Sequence, residues 1–278
     1  MFTLNCKGRL LVVDKPLVMG IINTTPDSFY SGSREESADA VLYKAEKMLT
    51  AGATILDIGG QSTRPGSEKL SADEELKRVI APIEVINNNF PEAYISIDTY
   101  YSKVVAQAVE AGASIVNDIS AGSIDSAMID TVAALKVPYV LMHIQGTPQT
   151  MQQQPNYENV ATEVLDFLIK KLNEVRKAGI NDVIVDPGFG FGKMIDHNFE
   201  LLKNLSVFNM LNCPVLLGLS RKSTIYKTLG VTADESLNGT TALNTIGLMN
   251  GASILRVHDV KEAVEVTKLF AAYTQAGK

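Results

Sequence analysis

Four times along this chain of 278 residues a triplet centred on glycine ends an amphipathic stretch, and a β-branched run follows. Ala51-Gly52-Ala53 leads into Thr54-Ile55-Leu56-Asp57, and Ala111-Gly112-Ala113 into Ser114-Ile115-Val116-Asn117-Asp118. Ala178-Gly179-Ile180 leads into Asp182 to Asp186, and Asn250-Gly251-Ala252 into Ser253-Ile254-Leu255-Arg256-Val257-His258. Glycine just past a helix supplies the left-handed residue that stops it. The short apolar run after it reads as a strand buried on both faces, as in parallel sheets. Extended along the chain, this grammar gives eight strands, at 17–22, 54–58, 94–98, 115–118, 138–143, 182–186, 214–219 and 253–257. Helical patterns lie near 35–51, 72–90, 102–111, 125–135, 157–178, 196–206, 223–250 with a break near Gly230, and 260–273. Ser71 and Glu74 have capping-box spacing, and Asp125, Asp196 and Asp259 are N-cap candidates. Ahead of the first unit, residues 2–13 read as a hairpin turned at Lys7-Gly8. Eight βα units without a composition break or linker predict one α/β domain over 1–278, a (β/α)8 TIM barrel with a short N-terminal β-hairpin. Right-handed βαβ units also build a doubly wound open sheet, but the strand number favours the barrel.

In such a barrel the chemistry sits at the C-terminal ends of the strands. The residues there are Asn23, Asp57, Asp98, Asn117, His143, Asp186, the Ser220-Arg221-Lys222 run, and Arg256 with His258. One polar strand-end residue is an ordinary loop cap, whereas polar groups from all eight strands converging on one rim predict a site. The stretch Val183 to Lys193 is the most informative. Its strand stops at Asp186-Pro187-Gly188, and glycines at 188, 190 and 192 let the backbone turn sharply. A carboxylate is thereby set at the mouth of a buried strand, under a tight loop. The spacing matches neither the dinucleotide fingerprint nor a P-loop. Asp98, Asn117 and Asp186 come from strands three, four and six, while Lys222, Arg256 and His258 come from strands seven and eight. This predicts an acceptor-rich floor for an N–H-rich heterocycle and a cationic wall for a phosphate. The plainer alternative is that Asp186 and Lys222 form a structural ion pair.

Other readings narrow the class. A net charge of −6 argues against nucleic acid or an anionic membrane as partner. No run approaches 18 apolar residues, so no transmembrane helix is expected, and the first residues lack the pattern of a signal peptide. The two cysteines, Cys6 and Cys213, are far apart, which predicts a reducing, cytoplasmic setting. Three scattered histidines do not make a zinc site, and no Ser-His-Asp or Cys-His arrangement is evident. His143 either lines the site or fills the rim, and His197 is expected to be exposed. Met142 could pack on a bound ring, whereas Met48 and Met128 fit helix core positions.

Two early loops, Met19 to Phe29 and Gly59 to Gly66, are long for βα turns and rich in Gly, Pro, Ser and Thr, as active-site lids often are. With them the family becomes visible. Met19-Gly-Ile-Ile-Asn-Thr-Thr-Pro-Asp-Ser-Phe29, Gly59-Gly-Gln-Ser-Thr-Arg-Pro-Gly66, Asp186-Pro-Gly-Phe-Gly-Phe-Gly-Lys193, Gly218-Leu-Ser-Arg-Lys-Ser223 and Arg256-Val-His-Asp-Val260 together resemble the dihydropteroate synthases, a family of pterin-binding barrels. The match runs over essentially the whole chain. One departure is Gln61, where many members carry Glu; it lies outside the residues assigned to chemistry.

The resemblance implies condensation of (7,8-dihydropterin-6-yl)methyl diphosphate with 4-aminobenzoate, giving 7,8-dihydropteroate and diphosphate in folate biosynthesis. Carried over position by position, it implies that Asp98, Asn117, Asp186 and Lys222 hold the pterin; Met142 and Gly218 are further substrate-binding candidates. Asn23, Arg256 and His258 would hold the diphosphate, with Asn23 also a ligand of Mg2+. Thr63, Arg64, Pro65, Phe191, Lys222 and Ser223 would frame aminobenzoate, while Asp27 and Phe29 would close over the site. Asp27, Arg64, Lys222, Arg256 and His258 are the residues implied in chemistry, and a homodimer is implied as the assembly. Two rivals remain: a pterin-barrel methyltransferase acting on methyltetrahydrofolate, and a non-catalytic pterin-binding paralogue. The first needs no diphosphate wall and no Ser62-Thr-Arg-Pro65 loop; the second would be expected to have lost loop or cationic residues.

Overall fold

The computed structural model describes residues 1–24, 34–62, 69–153 and 155–277. Strands β1 (Phe2–Cys6) and β2 (Arg9–Val13) form an antiparallel hairpin turned at Lys7 and Gly8, both with positive φ. The remaining strands are β3 (Leu17–Asn23), β4 (Ile55–Gly59), β5 (Tyr94–Asp98), β6 (Ile115–Asp118), β7 (Tyr139–Met142), β8 (Val183–Asp186), β9 (Leu216–Leu217) and β10 (Ile254–Val257). They make one eight-stranded sheet in the order β8-β7-β6-β5-β4-β3-β10-β9, with parallel pairing throughout. A single parallel bridge between Val185 and Val215 joins the two ends, giving a nearly closed (β/α)8 barrel. The open-sheet alternative is thereby excluded.

Helices α1 (Arg34–Thr50), α2 (Ala72–Asn89), α3 (Ser102–Ala111), α4 (Met128–Leu135), α5 (Val160–Lys177), α6 (Ile195–Lys203), α7 (Ser223–Leu229), α8 (Leu237–Met249) and α9 (Val260–Gln275) flank the strands. All four repeat glycines, 52, 112, 179 and 251, have positive φ, as the helix-stop reading requires. The capping box is present: Ser71 Oγ accepts from the Glu74 N–H, and Glu74 reaches back to the Ser71 N–H. The other caps differ. Asp125 accepts from the N–H groups of Ser102 and Ala127, so it tethers the start of α3 rather than starting α4. Asp196 lies inside the first turn of α6, while His197 Nδ1 accepts from the Met194 N–H. Asp259 occupies the N-cap position of α9, but its carboxylate is taken by Arg221.

The expected strand 214–219 shrinks to Leu216–Leu217. Pro214 has no N–H to give, and its carbonyl accepts from Val185 while the Val215 carbonyl accepts from Ser253. The chain there bridges two neighbours in turn instead of laddering with both. Inside the ring, Met19, Ile55, Ile115, Val140, Ile184, Leu216 and Ile254 pack with Leu4, Cys6, Leu11 and Val13 of the hairpin. The hairpin therefore plugs the N-terminal mouth of the barrel and leaves the C-terminal rim for chemistry. Each such fully buried aliphatic contributes about 1.5–3 kcal/mol. Among the described residues no helix is long and apolar enough to cross a membrane.

Candidate active site

At the C-terminal end of β8, Asp186 is buried, and its Oδ1 accepts the Gly188 N–H at 2.7 Å. The glycine loop that follows is held through its carbonyls. Lys193 Nζ donates to the Gly188 carbonyl at 2.8 Å and to that of Phe191 at 3.0 Å. Lys222 Nζ donates to the Phe189 carbonyl at 2.5 Å, Gln152 to Gly190 at 2.8 Å, and the Tyr157 hydroxyl to Gly192 at 2.7 Å. Gly188 has φ of 72°, and a Cβ there would lie 1.9 Å from the His143 carbonyl oxygen, so only glycine fits. The loop is thus a rigid shelf packed against the end of β7.

The other side of the rim is set by strand register. Asn23 pairs with Gly59, Gly59 with Asp98, and Asp98 with Asn117, so a single row crosses β3 to β6. Arg256 reaches this row from β10. Its Nε donates to Asp57 Oδ2 at 2.6 Å and its Nη2 to Asp98 Oδ2 at 2.5 Å. Asn117 Nδ2 donates to the same Asp57 oxygen at 3.1 Å, which makes fully buried Asp57 the hub of the cluster. The expected separation of carboxylate floor from cationic wall is therefore incomplete: Arg256 lies between two carboxylates. The reason is that a barrel brings β10 beside β3, one strand from β4.

The Asp186–Lys222 ion pair is not formed, because the Lys222 ammonium goes to the loop carbonyl and lies 4.6 Å from the Phe191 ring centroid. Burial lowers Lys222 to about 8, with Asp186 opposing the fall. Burial raises the Asp186 carboxyl, and Lys222, the Gly188 N–H, Arg256 and Lys193 pull it back. Burial likewise pushes Asp98 up to about 7 against the pull of Arg256. His258 is lowered to about 4 by burial, with Arg256 and Arg221 acting in the same direction. Its ring is therefore neutral at pH 7. Ser220 Oγ accepts the His258 backbone N–H at 3.2 Å and lies 3.0 Å from His258 Nδ1, so its own hydrogen is free to go to Nδ1. That tautomer keeps the hydrogen on Nε2 as a donor. Arg221, with φ of 54°, turns the chain between Ser220 and Lys222 and is fixed by two bonds to Asp259 and one to Asp234.

Met142, at the end of β7, and Phe191 share a small apolar cluster with Tyr100, Ile119 and Met151 beside the loop. Gly218 stands next to Lys222, whose Nζ would be 3.7 Å from a Cβ there. Ser223 is the first residue of α7. Asn23 is partly buried at the tip of β3. The structure thus brings Asn23, Asp98, Asn117, Met142, Asp186, Phe191, Gly218, Lys222, Ser223, Arg256 and His258 to one end of the barrel. Asp27, Phe29, Thr63, Arg64 and Pro65 lie outside the described residues.

Two groups were not singled out from sequence. Lys193 is 3% exposed and packs behind the shelf; its signal was a lysine directly after a glycine loop in an apolar context. Glu75, on α2, is 1% exposed and accepts from the Thr99 hydroxyl at 3.0 Å, while its Oε1 has no partner among the described residues. Burial raises Glu75 from 4.5 to about 8, opposed by the Thr99 bond and assisted by Asp98. Between those values the folded chain binds more protons than the unfolded one, so stability falls as pH rises through that window. Glu75→Gln keeps the acceptor for Thr99 and removes this slope. It is expected to stabilise by a few kcal/mol at pH 8.5 and little near pH 5, read from thermal melts at both. An equal effect at the two pH values would disprove the protonated state.

The model of a family described as "Pterin binding enzyme" matches residues 19–258. The dihydropteroate synthase of Escherichia coli strain K12 is 44% identical over 272 residues, 97% of this chain and 96% of that one. A crystal structure of Yersinia pestis dihydropteroate synthase with a sulfonamide drug complex superposes with a TM-score of 0.93 at 40% identity, covering 99% of this chain and 100% of that one. Xanthomonas albilineans dihydropteroate synthase in complex with 7,8-dihydropteroate gives a TM-score of 0.89 at 37% identity, with 99% of each chain covered.

Proposed function

The chain belongs to the pterin-binding enzyme family, among its dihydropteroate synthases, and on that premise we propose how its rim divides the work of the reaction. The enzyme is a transferase that condenses (7,8-dihydropterin-6-yl)methyl diphosphate with 4-aminobenzoate in folate biosynthesis. The observation that carries the assignment of roles is the buried Asp186 carboxylate at the foot of the glycine shelf. Among the described residues its second oxygen takes no hydrogen bond, so it can accept from the amino-pyrimidinone edge of the pterin, a charge-assisted and geometrically selective contact. Asn117, Asp98, Met142 and Gly218 complete the pterin pocket in this reading, and Lys222 spans pterin and aminobenzoate. Phe191 and Ser223 border the aminobenzoate, with Thr63, Arg64 and Pro65 assigned to the same subsite.

Aminobenzoate nitrogen is a weak nucleophile, so the methylene–oxygen bond breaks first and its electron pair leaves with the diphosphate. The nitrogen then bonds to the methylene and gives up its proton to the departed diphosphate or to water. Arg256 Nη1, which takes part in neither ion pair, and the Nε2–H of His258 stabilise charge on the departing oxygen. Asp98, Asp186 and Asp27 stabilise the pterin cation. Among the described residues no group of three or more His, Cys, Asp or Glu could hold a metal, and Asp57 and Asp98 are occupied by Arg256. At the tip of β3 the amide oxygen of Asn23 is a neutral donor. That suits Mg2+ carried on the substrate's phosphates, since this ion keeps several waters and takes few protein ligands. When bound there it would supply further neutralisation of the diphosphate.

The decisive assay follows diphosphate release and dihydropteroate together, with and without 4-aminobenzoate. Release coupled to product is expected. Tight pterin binding without product would favour the non-catalytic paralogue, and methyl transfer from methyltetrahydrofolate would favour the methyltransferase. A homodimer and a cytoplasmic setting belong to the same proposal. They are supported by the exposed Ile246, Met249, Leu269 and Tyr273 on neighbouring α8 and α9, and by two buried free cysteines.

A further inference from the structure

Lys193 is nearly inaccessible, yet its ammonium is fully occupied. Its Nζ donates to the carbonyls of Gly188 and Phe191 and lies 2.9 Å from His143 Nδ1. Three hydrogens meet three acceptors, which is the count for a charged lysine, since a neutral amine has one hydrogen fewer. His143 fits the part. It is 6% exposed, its ring meets Phe167 edge-on at 4.9 Å, and burial with the neighbouring Lys193 charge lowers it to about 2. The ring is therefore neutral, with its hydrogen on Nε2 and its Nδ1 lone pair turned to the lysine. The same lysine acts on Asp186, lowering its pKa alongside Lys222, the Gly188 N–H and Arg256.

We propose that Lys193 is a positioning residue for pterin recognition: its buried ammonium, braced on the neutral His143 ring, clamps the glycine shelf from behind and keeps Asp186 ionised for the pterin edge. This rests on the pterin reading above. It also gives His143 a role, as the acceptor that makes a buried charge tolerable. The charged groups that act on Lys193 are Asp186 of β8 and Lys222 after β9, while the His143 ring meets Tyr157 at a tilt, 6.2 Å between centroids, and Tyr157 in turn meets His197 edge-on at 5.0 Å. Burial lowers Lys193 to about 7, with Asp186 opposing the fall. On the acid side of that value the lysine is charged and its pull on Asp186 is fully present. Removing it raises the Asp186 pKa, so the carboxylate is protonated sooner as pH falls.

The test is calorimetry of 6-hydroxymethyl-7,8-dihydropterin binding from pH 5 to pH 8 with the full chain, Lys193→Met and Lys193→Gln. Lys193→Met removes both donors and charge; it is expected to weaken binding roughly tenfold to a hundredfold and to move the acid limb to higher pH. Lys193→Gln keeps donors without charge, so it should recover part of the affinity at pH 8 while the acid limb stays displaced. Should the methionine variant not fold, the glutamine variant decides alone. An acid limb unmoved in a folded variant would overturn the proposal even if affinity fell, because a purely structural lysine would weaken binding without touching Asp186. Failure of the unaltered chain to bind the pterin would instead overturn the functional reading, and this inference with it.

Discussion

Asp186→Ala is expected to abolish measurable pterin binding. The carboxylate is the acceptor for two N–H groups of the pterin edge in the proposed pose, and hydrogen bonds to a charged group contribute about 1.5–3 kcal/mol each. Losing both costs about 3 kcal/mol or more, a hundredfold or greater in Kd. The substitution also frees the Gly188 N–H, which now donates to Oδ1, so a collapse of the shelf could mimic lost recognition. Asp186→Asn separates the two causes. Its carbonyl oxygen can still accept from Gly188, but the amide nitrogen placed toward the ligand is a donor facing donors. The asparagine variant should therefore keep its melting temperature and still lose the pterin. Calorimetry together with a thermal melt reads both quantities, and retained affinity in either folded variant would remove Asp186 from recognition.

The parts of this site that were legible in the sequence are those fixed by local pattern. The glycine-centred triplets marked strand starts because helix-ending glycines with positive φ and buried β-branched runs are short-range features. Once eight strands were counted, the rim residues followed from their last positions. What could not be read is set by the geometry of the ring. Arg256 and Asp57 are far apart in the chain but bonded, because barrel closure puts β10 beside β3. A reading by strand number set Arg256 in a cationic wall apart from Asp98 and gave Asp57 neither side. Lys193 stood in plain view within a quoted motif. Its burial depends on how the shelf folds onto the end of β7, and nothing in the spacing says which carbonyls a lysine will reach. The shortness of β9 has the same character, since Pro214 alone does not reveal which neighbour takes its carbonyl. Charge sign and residue type gave the inventory of the site; pairing across the barrel decided which charges were free.

That pairing leads to the second large effect. Arg256→Met should cost both turnover and stability, and for separable reasons. The guanidinium is bonded to two carboxylates whose side chains are 0% and 13% exposed, Asp57 and Asp98. Without it two buried carboxyl groups share a site with no guanidinium between them, and removing one partner of a buried ion pair costs about 3–5 kcal/mol. The variant can escape part of this by keeping a proton on the pair. The folded-state pKa of such a carboxyl then lies above its unfolded value, so the variant's stability is greatest at acid pH and is lost as pH rises. Relative to the unaltered chain, its melting temperature should be nearly restored near pH 5 and depressed most at pH 8. Turnover should not follow that recovery. A methionine offers nothing to the departing diphosphate, and losing one donor to developing charge costs roughly a hundredfold to a thousandfold in kcat. Arg256→Lys supplies the discriminating case: an ammonium can neutralise the carboxylates, restoring much of the stability, but it lacks the fork that bonds Asp57, Asp98 and an anion together. A lysine variant with near-normal kcat would show that charge alone suffices there. A methionine variant with near-normal kcat would place the leaving group elsewhere on the rim.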